Sequence, residues 1–517
     1  MKGEIIMTTA QVLIIATIIA YLFGMLLIGF IFNRQGAADT QDGFYIGGRK
    51  LGPLVTAMSA EASDMSSYLL MGLPGLAYIA GLAEVSWTAI GLAVGTYLNF
   101  LFVSRKLRRY SARIGAYTIP DFFSRRYEDR NHVLSLLAAL IIIIFFVPYT
   151  ASGFKAVGTL FNSLFGVEYH IAMAFGAVII VAYTTMGGFL AVSTTDLVQS
   201  IFMTIALIVI VFFGIEKAGG MGVVIENAKA LPGYLSLTQG YDWASGSAGT
   251  FSIFSIVSTL AWGLGYFGMP HILLRFMAIR DEEELVLSRR IASIWCVLSM
   301  GIAVFIGVIG YSVSKSGAIP MLENSSDSET VIIQMANLMS EHGFLFAILA
   351  GIILAGILAA TMSTADSQLL AAASSVSQDL IQEFFGIKLS QRATMIAARV
   401  TVLIIASVAI VLAWNPNSSV FRVVSFAWAG FGAAFGPTML LALFWKRSNR
   451  QGAIAGIAVG GIMIFVWKFL IAPMGGILAI YELLPAFLFG LTANVIVSLA
   501  TPAPSRSIEK IFDEISA

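Results

Sequence analysis

Charge is what this chain has least of. Asp, Glu, Lys and Arg make up 11% of its 517 residues, where soluble globular domains carry about 25%. With 58% hydrophobic residues and a mean hydropathy of +0.88, the deficit excludes a water-soluble protein. Cysteine is almost missing: Cys296 stands alone, which rules out an intramolecular disulfide and a cysteine metal cluster. No His/Cys grouping suits zinc or iron, and no nucleophile–base constellation points to an enzyme. The net charge of +1 offers no attraction for nucleic acid. No polar stretch is long enough for a soluble domain; the longest connections are 105–131, 216–248 and 315–341. A channel's filter repeat is lacking, and so is the output domain of a membrane sensor, since 17 residues follow the last apolar run.

What is present is a series of apolar runs of 20 residues or more. Runs of that length are α-helical spans, because a barrel shows short alternating segments. The expected fold is an all-α integral membrane protein with about 13 transmembrane helices. They fall near 10–32, 51–79, 84–104, 132–161, 168–187, 189–215, 249–275, 289–314, 342–378, 394–414, 421–445, 452–473 and 479–500. The first run lacks a clear small-residue cleavage site and reads as a retained helix. Placing the amino terminus outside puts 23 Lys and Arg residues on the cytoplasmic side. Seven remain opposite: Lys2, Lys155, Lys217, Lys229, Lys315, Arg422 and Lys468. That bias predicts an amino terminus outside, a carboxyl terminus inside and an odd number of spans. In the basic 105–131 loop, TIPDFFSRRYEDR reads as a short interfacial helix.

Two spans are interrupted. LGPLVTAMSAEASDMSSYLLMGLPGLAY (51–78) carries Glu61, Ser63, Asp64, Ser66 and Ser67 in its middle, then Pro74. Each carboxylate at hydrocarbon depth costs about 2.5–3.5 kcal/mol on insertion scales, so that face meets protein, water or an ion. AWGLGYFGMPH (261–271) holds three glycines and a proline. Its G-x-G-x-x-G is no dinucleotide fingerprint, because no strand precedes it; it predicts a locally unwound helix with free backbone groups. The breaks lie five spans apart, so the two helices enter from opposite sides, as in an inverted-repeat transporter with its site at their crossing.

In GIILAGILAATMSTADSQLL, residues Ala360, Ser363, Thr364 and Ser367 share one helical face. Hydroxyls and carbonyls suit an alkali cation such as sodium; hydroxyls bonded back to their own helix are the plainer use. Asp366 and Asp196 are further ionisable residues at or near membrane depth, for a second cation site or a gate. Asp196 also fits a helix amino terminus, where a carboxylate is favoured. Trp262 and Tyr266, four apart, are placed to face one cavity and pack an apolar ring or attract an ammonium. His271 and Arg275 read as structural or inner-gate contacts, and Cys296 as a lipid-facing or core residue.

SAEASDMSSYLLMGLPG, YTTMGGFLAVSTTD, WGLGYFGMPHILLRFMA, ILAATMSTADSQLL and SFAWAGFGAAFGP together resemble the sodium:solute symporter family, over residues 10 to 500. The resemblance implies the leucine-transporter-type five-plus-five inverted repeat with two broken helices. It divides the chain into 1–50, a first repeat 51–217, an outer loop 218–248, a second repeat 249–447, and 448–517 with two peripheral helices and a tail. It implies sodium (Na+) held by the Ala62 and Met65 carbonyls with Ala360, Ser363 and Thr364, and assisted by Asp64. Asp196, Asp366 and Ser367 are candidates for a second cation site. The solute, L-proline, is expected near Ser66, Ser67, Tyr149, Trp262, Tyr266 and Pro270. Ser67-Tyr68 stands where glycine-tryptophan is usual, Glu61 where a small residue is, and Asp366 where a neutral one is. Sodium-coupled uptake across a bacterial plasma membrane is the implied activity; another amino acid, betaine or sialic acid are the alternative solutes.

Overall fold

A computed structural model of the chain describes residues 7–34 and 41–516; Lys2 lies outside them. Eighteen helices are used below. They are α1 (Thr9–Arg34), α2 (Pro53–Ser67), α3 (Leu73–Ala80), α4 (Leu82–Leu98), α5 (Ser104–Ile114), α6 (Ile119–Arg126), α7 (Val133–Phe165) and α8 (Tyr169–Lys217). They continue with α9 (Ile253–Leu260), α10 (Pro270–Ala278), α11 (Leu285–Lys315), α12 (Val331–Ser340), α13 (Phe344–Ser374), α14 (Gln391–Leu412), α15 (Val420–Phe444), α16 (Arg450–Val466), α17 (Leu483–Ala500) and α18 (Arg506–Ser516).

Long apolar sequence makes these segments helical, since only a helix satisfies its own backbone in hydrocarbon. Polar residues end them. Ser390, Ser419 and Asn449 accept the amide hydrogens of Ala393, Arg422 and Gly452 at the starts of α14, α15 and α16, a standard N-cap exchange. The short helix expected in the basic loop is α6, capped by Thr118 on the Asp121 amide.

The centre of the bundle is α13. Nearly every residue from Ala347 to Ser374 is buried, and α1, α2, α7 and α8 all pack against it. The outer pair α16 and α17 packs together and against α15. The amphipathic α18 buries Ile508, Phe512 and Ile515 against α5 and pairs Glu514 with Arg113 at 3.1 Å. Small residues let helices approach where membrane packing depends on contact. A Cβ on Gly263 would lie 2.2 Å from the Gly91 carbonyl, and one on Gly307 2.3 Å from that of Pro74.

Several expectations change. Among the described residues ten helices are long and apolar enough to cross a membrane, or eleven if the bent pair Ile253–Phe267 and Pro270–Ala278 is one span. The thirteen expected are therefore not all met by length and apolarity. The 51–79 segment divides at Ser66. The 168–187 segment reaches only Tyr169–Ala182 as a short apolar helix, and runs on into 189–215 as one helix kinked at Gly188, φ 63°. Asp196 thus sits past that kink, inside α8 and not at a helix amino terminus. The 216–248 connection holds an antiparallel hairpin, β1 (Gln239–Asp242) with β2 (Ser247–Thr250), which apolar periodicity does not foretell. Lys155 and Arg275, counted with the loops, are buried inside the bundle at 1% exposure each.

Gly263→Ala is expected to cost about 1–3 kcal/mol through overpacking against α4, read as a lowered unfolding temperature of the purified protein. Gly24→Ala, whose Cβ meets nothing within 4 Å, is expected to leave it unchanged.

Candidate ion and solute site

The α2 break is local and sharp. Ser66 adopts φ 46° and ψ −169°, a left-handed backbone that non-glycine residues adopt at a cost of about 1–3 kcal/mol. Its own hydroxyl accepts the Tyr68 amide hydrogen at 3.1 Å. A wide turn over Tyr68–Gly72 follows before α3 resumes with Pro74 in its first turn.

Against this break lies the hydroxyl face of α13. The Ser363 hydroxyl donates to the Ala62 carbonyl at 2.8 Å and also reaches the Ala360 carbonyl at 3.1 Å. Thr364 contacts the Ala360 carbonyl at 3.2 Å. Ala62, Ala360, Ser363 and Thr364 therefore form one chain of oxygens across two helices. The Met65 carbonyl is engaged differently, by the Tyr68 amide. The donor set is all oxygen and uncharged, which suits a hard monovalent cation and not a transition metal.

Two small cavities flank this chain, and Tyr149 lines both. One also includes Ser66, Ser67, Thr150, Thr364 and Gln368; the other includes Asp64, Met65, Tyr68, Trp262 and Trp428. The Tyr149 hydroxyl donates to the Asp64 carbonyl at 3.1 Å. The Tyr266 hydroxyl donates to the Asp64 carboxylate. Of the six expected solute contacts, Ser66, Ser67, Tyr149 and Trp262 line these cavities. Tyr266 lines neither and donates to Asp64. Pro270 opens α10 as its first residue and lines neither cavity.

The second break is filled rather than open. Residues Ala261–Phe267 form a tight 3-10 segment, and a 45° bend separates it from α10. Its freed carbonyls already have partners: Trp428 Nε1 donates to Trp262 at 2.8 Å, and Asn99 Nδ2 to Tyr266 at 3.1 Å. The expected free backbone groups are thus taken at these two residues. Its glycines serve close packing: a Cβ on Gly265 would meet the Trp428 indole at 2.0 Å.

Asp196, Ser367 and Asp366 converge, around a guanidinium. Arg275 donates to Asp196 at 3.1 Å, Ser367 at 2.6 Å and Ser59 at 3.0 Å, and to the His271 carbonyl at 2.8 Å. Ser59 in turn donates to Asp196 at 2.6 Å, and the Ser367 hydroxyl lies 3.4 Å from Asp366. Arg275 is therefore the charge partner of a residue the sequence left with two uses. Cys296 is a core residue, near the Thr96 hydroxyl at 3.9 Å.

Sequence reading missed two further features. Trp262 stacks on Tyr481 with centroids 5.1 Å apart, and touches Tyr68 and Phe421; single aromatics scattered over four segments carry no periodic signal. Lys155 and Glu329 form a buried ion pair at 2.9 Å. Glu329 also accepts from Ser419 and from the Val420 and Phe421 amides, tying the loop before α12 to the start of α15.

Comparison with known proteins places the chain in a family. The model of the sodium:solute symporter family matches residues 44–460. The sodium/proline symporter of Escherichia coli (strain K12) is 41% identical over 97% of this chain and 96% of its own length. The osmoregulated proline transporter OpuE of Bacillus subtilis (strain 168) is 39% identical over 96% of this chain and 97% of its own. Among solved structures, a Na+-coupled sialic acid symporter in a substrate-bound outward-open state superposes with TM-score 0.76. It is 18% identical and covers 96% of this chain and 99% of that one. The protein is a multi-pass membrane protein and belongs to the sodium:solute symporter family.

Proposed function

We propose that the protein takes up L-proline with sodium by alternating access, from the side of the amino terminus to the side of the carboxyl terminus. The observation that carries this reading is the Ser363 hydroxyl on the Ala62 carbonyl, where an interrupted helix meets a hydroxyl-bearing one. Sodium is bound by the Ala62 and Ala360 carbonyls and the Ser363 and Thr364 hydroxyls, and displaces the hydrogen bonds now linking them. Met65 joins when its carbonyl exchanges the Tyr68 amide for the ion. Asp64 lends its negative charge nearby. Binding sodium across α2 and α13 fixes the Ser66 backbone, and with it the polar groups facing Tyr149. Proline then sits between Ser66, Ser67, Tyr149 and Trp262. Support for proline comes from the names of the Escherichia coli and Bacillus subtilis relatives at 41% and 39% identity.

The two breaks, in 51–79 and 249–275, belong to inverted repeats at 51–217 and 249–447. Support for this comes from the leucine-transporter-like neighbours, including MhsT in complex with L-phenylalanine at TM-score 0.55 and 12% identity. Thirteen crossings follow when the broken 53–80 segment and the short Tyr169–Ala182 helix each count as one. The driving force is adequate. Moving one charge through 100 mV supplies about 2.3 kcal/mol, and a tenfold sodium gradient adds about 1.4 kcal/mol. Asp196 and Ser367 are read as held by a cation already present, the tethered Arg275 guanidinium, so that one sodium moves per cycle.

Uptake of radiolabelled L-proline into proteoliposomes is expected to require an inward sodium gradient. Ser363→Ala and Thr364→Ala are each expected to raise the half-saturating sodium concentration at least about tenfold, a loss of about 1.4 kcal/mol; unchanged sodium affinity in both rejects the site. Arg275→Met is expected to destabilise the protein by about 3–5 kcal/mol, because it leaves Asp196 buried without its partner. Adding Asp196→Asn is expected to restore part of that loss in a thermal-unfolding cycle.

A further inference from the structure

Gly91 and Gly95 on α4, and Asn99 just past its end, are four apart and share one helical face. That face lies against the second break. The two glycines bring the backbones together: a Cβ on Gly91 would lie 2.5 Å from the Leu260 carbonyl oxygen, and one on Gly95 2.4 Å from that of Gly263. Next along the face stands Asn99, fully buried inside an apolar span. It opens a wide turn, Asn99–Val103, of a kind that recurs at functional sites.

Proline at position 270 creates the demand that Asn99 meets. In a continued helix the Tyr266 carbonyl would accept from the amide of residue 270, and proline has no amide hydrogen to give. Asn99 Nδ2 donates there instead, at 3.1 Å. The Asn99 Oδ1 is buried without a partner, which costs stability, so packing alone would favour an apolar residue at this place. Tyr266 is thereby held along its whole length. Its carbonyl is on Asn99, its ring meets the Trp428 indole edge-on at 5.0 Å, and its hydroxyl donates to the Asp64 carboxylate. Among the described residues that is the only hydrogen bond on the Asp64 side chain. Asn99 itself lines neither central cavity.

We propose that Asn99 is a positioning residue for sodium binding. By holding the Tyr266 carbonyl it sets where the Tyr266 hydroxyl meets Asp64, and so where the Asp64 charge stands beside the ion. This role rests on the reading of Asp64 as the charge that assists sodium.

Equilibrium binding of radiolabelled sodium to the purified full chain tests it, in a double-mutant cycle of Asn99→Leu and Tyr266→Phe. The first removes the donor at similar volume; the second removes only the hydroxyl. Each is expected to weaken sodium binding about tenfold. The pair is also expected to weaken it about tenfold, because Asn99 acts through that hydroxyl, whereas independent effects multiply to about a hundredfold. Cooperative thermal unfolding identifies the variants that fold, and Asn99→Ala takes the place of the leucine variant if that one does not. A merely structural Asn99 shifts the unfolding temperature and leaves sodium affinity as it was. Unchanged sodium affinity in either folded single variant, or a multiplied loss in the pair, overturns the positioning role and leaves the sodium site standing. No saturable sodium binding by the unaltered protein overturns the sodium site, and the positioning role with it.

Discussion

A backbone carbonyl released from its helix in hydrocarbon has no water to turn to, and leaving it unpaired costs several kcal/mol. That constraint governs the α2 break. Ser66 turns the chain into a left-handed conformation, and the polar groups exposed there need partners from within the protein. The hydroxyl of Ser363 supplies one, that of Tyr149 another. Both come from other helices, so the break is inseparable from the packing of α2 on α13 and α7. The same contacts make it usable. A hydroxyl on a carbonyl is a pair of oxygens already in place on two different helices.

Enclosure follows from the rings and from one ion pair. The two cavities around Tyr149 hold about 10 Å³ each, room for a water-sized species and too little for an amino acid. Trp262, stacked on Tyr481 and touching Tyr68 and Phe421, walls the one that holds Asp64. Lys155 and Glu329 link α7 to the loop that caps α15. Filling the centre therefore demands that these rings and that loop move together, since a close-packed interior switches between arrangements and does not stretch. The glycine contacts of the second break bear on the same motion: Gly263 and Gly265 let α4 and α15 lie directly on the 3-10 segment.

The low charge content of the chain sharpens the meaning of each charge inside it. Arg275, Asp196, Lys155 and Glu329 are each at most 1% exposed, and each has a partner of opposite sign. A buried pair gains little net stability over apolar packing, yet losing one partner is costly. Such pairs hold helices in one relative register, and they are where a change of conformation finds its resistance. Arg275 joins α10 to α2, α8 and α13 through Ser59, Asp196 and Ser367, one turn of α13 from Ser363.

How much of this was legible before folding differs by element. Helical spans, the interruption at 61–67 and the hydroxyl face at Ser363 and Thr364 are local properties, written in hydropathy, in helical spacing and in the cost of carboxylates at membrane depth; the motifs also pointed to the family. The role of Arg275 was not, because the spacing within α10 says nothing of Asp196, 79 residues earlier. Nor was the capture of the Trp262 and Tyr266 carbonyls by Trp428 and Asn99, which turned an expected open backbone into a packed one. The cluster of Tyr68, Trp262, Phe421 and Tyr481 joins residues from four distant segments. Periodicity along one helix determines which face is polar; which partner that face meets depends on contacts between segments hundreds of residues apart, and only the packed bundle decides it.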